Sequence, residues 1–152
     1  MSIQSILKEA LISKSAGYQA SSETEVSGTE LDLGSPTEGG FDSVCFIAVF
    51  STVVTAAVLT LKAYAGNVAG LGSGAAYATT TATVTASGTD TNNNILVLDV
   101  VRPGKRYIRA DLVIETAAAA LDCILAIRYN SRTIPTQELA ALADGAVSVN
   151  MG

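Results

Sequence analysis

The chain has no histidine and no tryptophan among its 152 residues. Without histidine it lacks the commonest general base, the Ser–His and Cys–His pairings of nucleophilic catalysis, and the commonest metal ligand. Catalysis by carboxylates or lysine remains possible, but no catalytic motif surrounds them. The chain therefore reads as a non-enzyme, with no catalytic, cofactor-binding or metal-ligating residues. Charged residues are also scarce, at 15% against about 25% in an average soluble domain. So few charges leave little to keep a surface wet, which suits a protomer that buries surface against partners. Lys and Arg are scattered in a chain of net charge −5, whereas nucleic-acid binding leaves a basic stripe. An acidic body likewise gains nothing at an anionic membrane, so neither nucleic acid nor membrane is expected as a partner.

Long apolar runs are missing too. The most apolar stretch, Val44 to Leu61, is broken by Ser51, Thr52, Thr55 and Thr60, short of the roughly 18 residues of a membrane-spanning helix. Its β-branched content reads instead as two strands. Residues 1–9 have neither the basic start nor the continuous apolar stretch of a signal peptide, which predicts synthesis in a cytosol. Cys45 and Cys123 both sit in apolar runs and are expected as free, buried thiols, because free cysteine packs as a small hydrophobe and disulfides are rare in reducing compartments.

What the chain does contain is alternation. The cleanest case is Lys105 to Glu115, where Arg106, Ile108, Ala110, Leu112 and Ile114 share one face. Lys105, Tyr107, Arg109, Asp111, Val113 and Glu115 share the other. Strict alternation is the mark of a strand buried on one side. Val54 to Tyr64 behaves alike, with Leu59 and Leu61 set against Thr60 and Lys62. Phe41 to Phe50 is apolar on both faces, so it is either central or covered on both sides. Tyr77–Thr85, Ile95–Val101 and a strand with Leu121, Cys123, Leu125, Ile127 and Tyr129 on one face complete the set. Turns are expected at Gly88–Asn94 and at Arg102-Pro103-Gly104, where Gly suits a positive φ. Thr116 to Ala120 reads as a loop or a turn of helix.

Strands separated by turns, with no long helix between them, indicate an all-β fold, an antiparallel β-sandwich or jelly-roll-like domain over residues 41–136. Before it, residues 1–40 read as an extended polar arm. A short amphipathic helix is expected at about 3–12, because Ile3, Ile6, Leu7, Ala10 and Leu11 fall on one helical face. After it, residues 137–152 read as a tail that packs on the domain or on a partner, with a helical turn at Gln137 to Leu142.

Two motif-like stretches carry no chemistry. Gly70-Leu71-Gly72-Ser73-Gly74 has its third Gly too early for a dinucleotide fingerprint, and a Thr-rich strand follows it. Asp90 to Asn94 begins like a calcium loop, but Ile95 and Val101 occupy the positions that need Gly and Glu. Asp99 and Asp122 interrupt apolar strands; paired carboxylates can do acid–base work, but with no candidate substrate pocket one of them is expected to meet Arg106 or Arg128 in a structural ion pair.

Three stretches together carry a resemblance. They are Gly40-Phe41-Asp42-Ser43-Val44, then Leu98-Asp99-Val100-Val101-Arg102-Pro103-Gly104-Lys105-Arg106-Tyr107-Ile108-Arg109, and Ile127-Arg128-Tyr129 leading to Arg132-Thr133-Ile134-Pro135. In this order the chain resembles small virion structural proteins of tailed bacteriophages, over roughly residues 11–136. The resemblance implies a capsid decoration (cement) protein at the virion surface, made in the host cytoplasm. It also implies the major capsid protein as partner and a homo-oligomer, with a trimer favoured. A head–tail connector or tail component is the alternative within the same setting, and a carbohydrate-binding β-sandwich is the alternative from another class. The interface candidates are Ile3, Ile6, Leu7 and Leu11 in the arm, and Lys105, Arg106, Tyr107 and Arg109 in the alternating strand.

Overall fold

The computed structural model describes residues 10–34, 40–71, 76–87 and 94–131. Ten strands form two antiparallel sheets, and no helix occurs among the described residues. The first sheet has the order β1-β10-β5-β8, from β1 (Leu11–Ala16), β5 (Phe41–Val53), β8 (Ile95–Val101) and β10 (Ala119–Ser131). Strand β2 (Gln19–Ser22) continues the β1 edge along β10. The second sheet has the order β3-β9-β6-β7, from β3 (Glu25–Ser27), β6 (Val58–Gly66), β7 (Ala76–Thr85) and β9 (Tyr107–Glu115). Strand β4 (Leu31–Asp32) continues the β3 edge along β9. The two sheets pack face to face in a sandwich-like arrangement.

The alternating patterns build this core directly. Phe46, Phe50, Leu59, Leu61, Ile108, Leu112, Leu121 and Ile124 are fully buried between the sheets, each contributing about 1.5–3 kcal/mol on removal from water. Val54–Tyr64 and Lys105–Glu115 place their apolar faces inward as expected, at Leu59, Leu61, Ile108, Ala110, Leu112 and Ile114. Gly104 adopts φ +65° in the β8–β9 turn, as its position in Arg102-Pro103-Gly104 requires. The β9–β10 connection is a tight turn rather than helix, with Ala117 N–H donating to the Glu115 carbonyl at 2.8 Å.

Several expectations meet a different outcome. The helix expected over residues 3–12 lies mostly outside the described residues, and its last two positions, Leu11 and Ile12, open β1. Residues 11–32, read as an arm, supply the edge strands of both sheets. Their polar sequence suits an edge, where one side of the strand meets water. Leu121 does not share a face with Cys123, because the register of β10 shifts between them. The extra residue of such a bulge turns Leu121 into the core and leaves Cys123 outside. Cys45 and Cys123 are free but only half-buried, on neighbouring strands and facing away from the core. The Gly88–Asn94 turn, except for Asn94, and the tail beyond Ser131 lie outside the described residues.

Candidate functional site

The two outward-facing sheet surfaces differ in chemistry. On the β3-β9-β6-β7 sheet, the outer face carries Glu25, Lys62, Thr60, Thr83, Arg109, Asp111 and Glu115 in register across the strands. Of its charges, Arg109 and Asp111 pair with each other inside the chain. Asp111 is fully buried although it points outward, because Arg109 and residues 28 and 71 close over it. Its Oδ2 accepts from Arg109 Nη2 at 2.7 Å, and its Oδ1 from Gly28 N–H at 3.1 Å. Arg109 also donates to the Leu71 carbonyl and lies 5.3 Å from the centroid of the Tyr64 ring. Glu30 accepts from the Gly70 and Leu71 amides at 3.0 and 2.7 Å, which pins the end of the loop following β6 against this face.

A second polar cluster closes one end of the fold. Arg106 meets Asp32 in a forked ion pair, with contacts of 2.9 to 3.2 Å. Gly34 N–H donates to Asp32 at 2.8 Å, and Arg128 Nη1 donates to the Asp32 carbonyl at 3.1 Å. The hydrogen bond from Arg106 holds the Asp32 carboxyl below the usual carboxylate range. Asp32 thus takes the place expected of Asp99 or Asp122. Both of those are exposed, and Asp99 instead accepts from the Tyr129 hydroxyl at 2.7 Å. Burial, followed by this bond to Asp99, pushes the Tyr129 phenol up. The correction has a geometric cause, since Asp99 alternates onto the outer face of its sheet while Asp32 and Arg106 meet at the end of the fold.

The outer face of the β1-β10-β5-β8 sheet is almost uncharged. One row across the strands reads Ile12, Ile127, Cys45 and Asp99, and the next reads Lys14, Leu125, Ile47 and Val97. Flanking them are Cys123, Val49 and Ile95 on one side and Tyr129, Ser43 and Val101 on the other. On edge strand β8, Ile95, Val97 and Val101 are 63%, 45% and 61% exposed, and Ile12 on the opposite edge is 41% exposed. The residues of the two central strands are mostly half-buried, and no strand among those described lies over them. Burial, with a smaller contribution from Asp99, pushes the Cys45 thiol up. Four adjacent strands with one apolar outward face form the kind of contiguous patch that marks an interaction surface.

No known protein family and no curated protein matches this chain. Function is therefore argued from this geometry. A cleft of about 230 Å³ opens between the edges of the two sheets, lined by Phe50, Val53, Leu59, Val84 and Leu96 among others. It is smaller than the roughly 300–1,000 Å³ of small-molecule sites. Among the described residues, no three His, Cys, Asp or Glu side chains gather as a metal site.

Of the interface candidates, Ile3, Ile6 and Leu7 lie outside the described residues. Leu11 is half-buried on β1, opposite Arg128. Lys105 is half-buried in the β8–β9 turn, and Arg106 stacks at 5.1 Å on the ring of Tyr107 while pairing with Asp32. Tyr107 and Arg109 stand on β9, so Arg106, Tyr107 and Arg109 come together, with both cations engaged within the chain. The apolar face on the other sheet is built from residues that reasoning from the sequence did not single out. Its signal was present in Phe41–Phe50, apolar on both sides, and in the Leu125–Ile127–Tyr129 alternation.

Proposed function

We propose that this chain is a non-catalytic structural protein of a tailed-phage virion, a capsid decoration protein that stabilises the head by burying apolar surface against its neighbours. The observation that carries this reading is the contrast between its two outer faces. One is polar, with Arg109 and Asp111 paired inside the chain, and the other is apolar and uncovered by the described strands. Cementing needs no reaction, only apolar area removed from water at about 25 cal/mol per Å², repeated over many copies.

The strand order supports reading the two sheets as a jelly roll. If β1 with β2 and β3 with β4 each count as one broken strand, the eight strands pair as first with last, second with seventh, third with sixth and fourth with fifth. Such a nested ribbon is the double-sheet architecture found in viral capsid and lectin domains. Among its large exposed apolar side chains, the described part of the chain has Tyr18 as the one aromatic. That is a poor platform for sugar rings, so the virion reading is preferred to the carbohydrate-binding one. The sequence resemblance supports the same setting and suggests the major capsid protein as partner.

The test is co-sedimentation of the full chain with expanded, undecorated heads of its phage. Saturable binding of hundreds of copies per head is the expected result. A dozen or fewer copies would move the protein to the neck or tail, and no binding would overturn the virion reading.

A further inference from the structure

We infer that the apolar outer face of the β1-β10-β5-β8 sheet is occupied by the same face of a second copy, related by a twofold axis that runs along the strands within the interface. The inference rests on reading this face as the protein's docking surface, and it names a second copy as the neighbour that covers it, in place of the trimer that the sequence resemblance implies.

Three observations select a second copy. The first is shape. The face is a four-stranded surface made mainly of Ile, Val, Leu and Cys side chains, and such a surface is matched by another sheet packed about 10 Å away. The second is charge. The charged residues of this face are Lys14 on edge strand β1, Asp99 on the opposite edge strand β8, and Asp122 at the bulge of β10. A twofold axis along the strands exchanges the two edges. Lys14 of one copy then stands over Val97 and beside Asp99 of the other, and the same contact forms a second time across the axis. The pairing is isologous, and Lys14 and Asp99 each meet their opposite. The third is area. Strands about 4.8 Å apart, with same-face residues about 7 Å apart along each strand, give roughly 500 Å² of sheet per copy. A pair therefore buries about 1,000 Å², the lower bound for a specific association.

The geometry also sets a chemical readout. Cys45 and Cys123 lie on this face, so a second copy would cover both thiols and dissociation would bare them.

The experiment uses the full chain in sedimentation equilibrium from about 1 to 200 μM, with maleimide labelling of the thiols at the same concentrations. The expected results are a monomer–dimer equilibrium and thiol labelling that quickens on dilution. Lys14→Glu and Asp99→Lys should each weaken the dimer by about tenfold through like-charge contact, and the double swap should restore it to within about threefold. Both substitutions are at exposed positions, and circular dichroism verifies that the variants fold. Val97→Lys should abolish the dimer, whereas Thr83→Lys on the other sheet should leave it unchanged.

A monomer at 200 μM overturns the inference. So does a trimer mass, and so does a double swap that fails to restore association. Monomers whose thiols stay protected would assign the face to residues 1–9 or 132–152 of the same chain, and would overturn it as well. The two readings fail separately: a dimer that ignores phage heads removes the virion function alone, and a monomer that coats them removes only the self-association.

Discussion

Replacing Asp111 with alanine should cost about 3 kcal/mol of folding stability. The carboxylate has no solvent exposure, and it holds Arg109 at 2.7 Å and the Gly28 amide at 3.1 Å. Removing one partner of a buried ion pair typically costs about 3–5 kcal/mol, because the other charge is left uncompensated. The Arg109 side chain keeps 16% exposure, so water can partly rehydrate its guanidinium, which places the expected loss at the lower end. The Gly28 amide is not orphaned, since it also donates to the Ala110 carbonyl at 3.0 Å. For a chain of this length, about 3 kcal/mol corresponds to a fall in Tm of about 6–12 °C. Urea denaturation should show a lower midpoint with an unchanged slope. Arg109→Met combined with Asp111→Leu should recover much of the loss, because a well-packed apolar pair carries no desolvation penalty. A loss below about 1 kcal/mol for Asp111→Ala would refute the reasoning, as would a double variant no more stable than the single one.

The remaining perturbations test backbone packing and the polar end cluster. A Cβ at Gly28 would lie 2.3 Å from the Ala110 carbonyl oxygen, a backbone atom that cannot swing aside. Gly28→Ala should therefore destabilise by about 2–3 kcal/mol through overpacking. Gly17→Ala, whose nearest neighbour is the mobile end of Lys14 at 3.6 Å, should change thermal stability little. The lowered titration of Asp32 means that its pair with Arg106 stabilises the fold above the unfolded aspartate value of about 3.9, and that this contribution fades as pH falls through the lower folded value. Both side chains are 44% exposed, so after solvent screening the contribution is about 0.5 kcal/mol. The stability gap between wild type and Asp32→Asn should accordingly be present at pH 6 and shrink toward pH 3 in urea titrations. A gap that widens on acidification would contradict the assignment.

Much of the fold follows from local pattern. The period of two in Val54–Tyr64 and Lys105–Glu115 names these strands and their inward faces, because alternation is a property of the extended backbone itself. The turn at Gly104 was legible for the same reason, since a positive φ selects glycine locally. The two apolar faces of Phe41–Phe50 announced a strand that is either central or covered on both sides, and β5 does lie between β10 and β8.

Local pattern does not carry partnership. Residues 11–32 look like a polar arm until β9 and β10 supply the edges that they pair with. Leu121 alternates with Cys123 on paper, and only the register shift against β5 turns it into the core. Asp111 belongs to the wet face by alternation, yet Gly28 and Arg109 bury it. The apolar outer face is the sharpest case. Its residues come from β1, β5, β8 and β10, segments up to 117 positions apart in the chain. By itself the sequence determined which side chains share a face of each strand. Which faces lie side by side, and which of them is left uncovered, was decided by long-range pairing, because hydrogen bonds between strands join segments that no local periodicity connects.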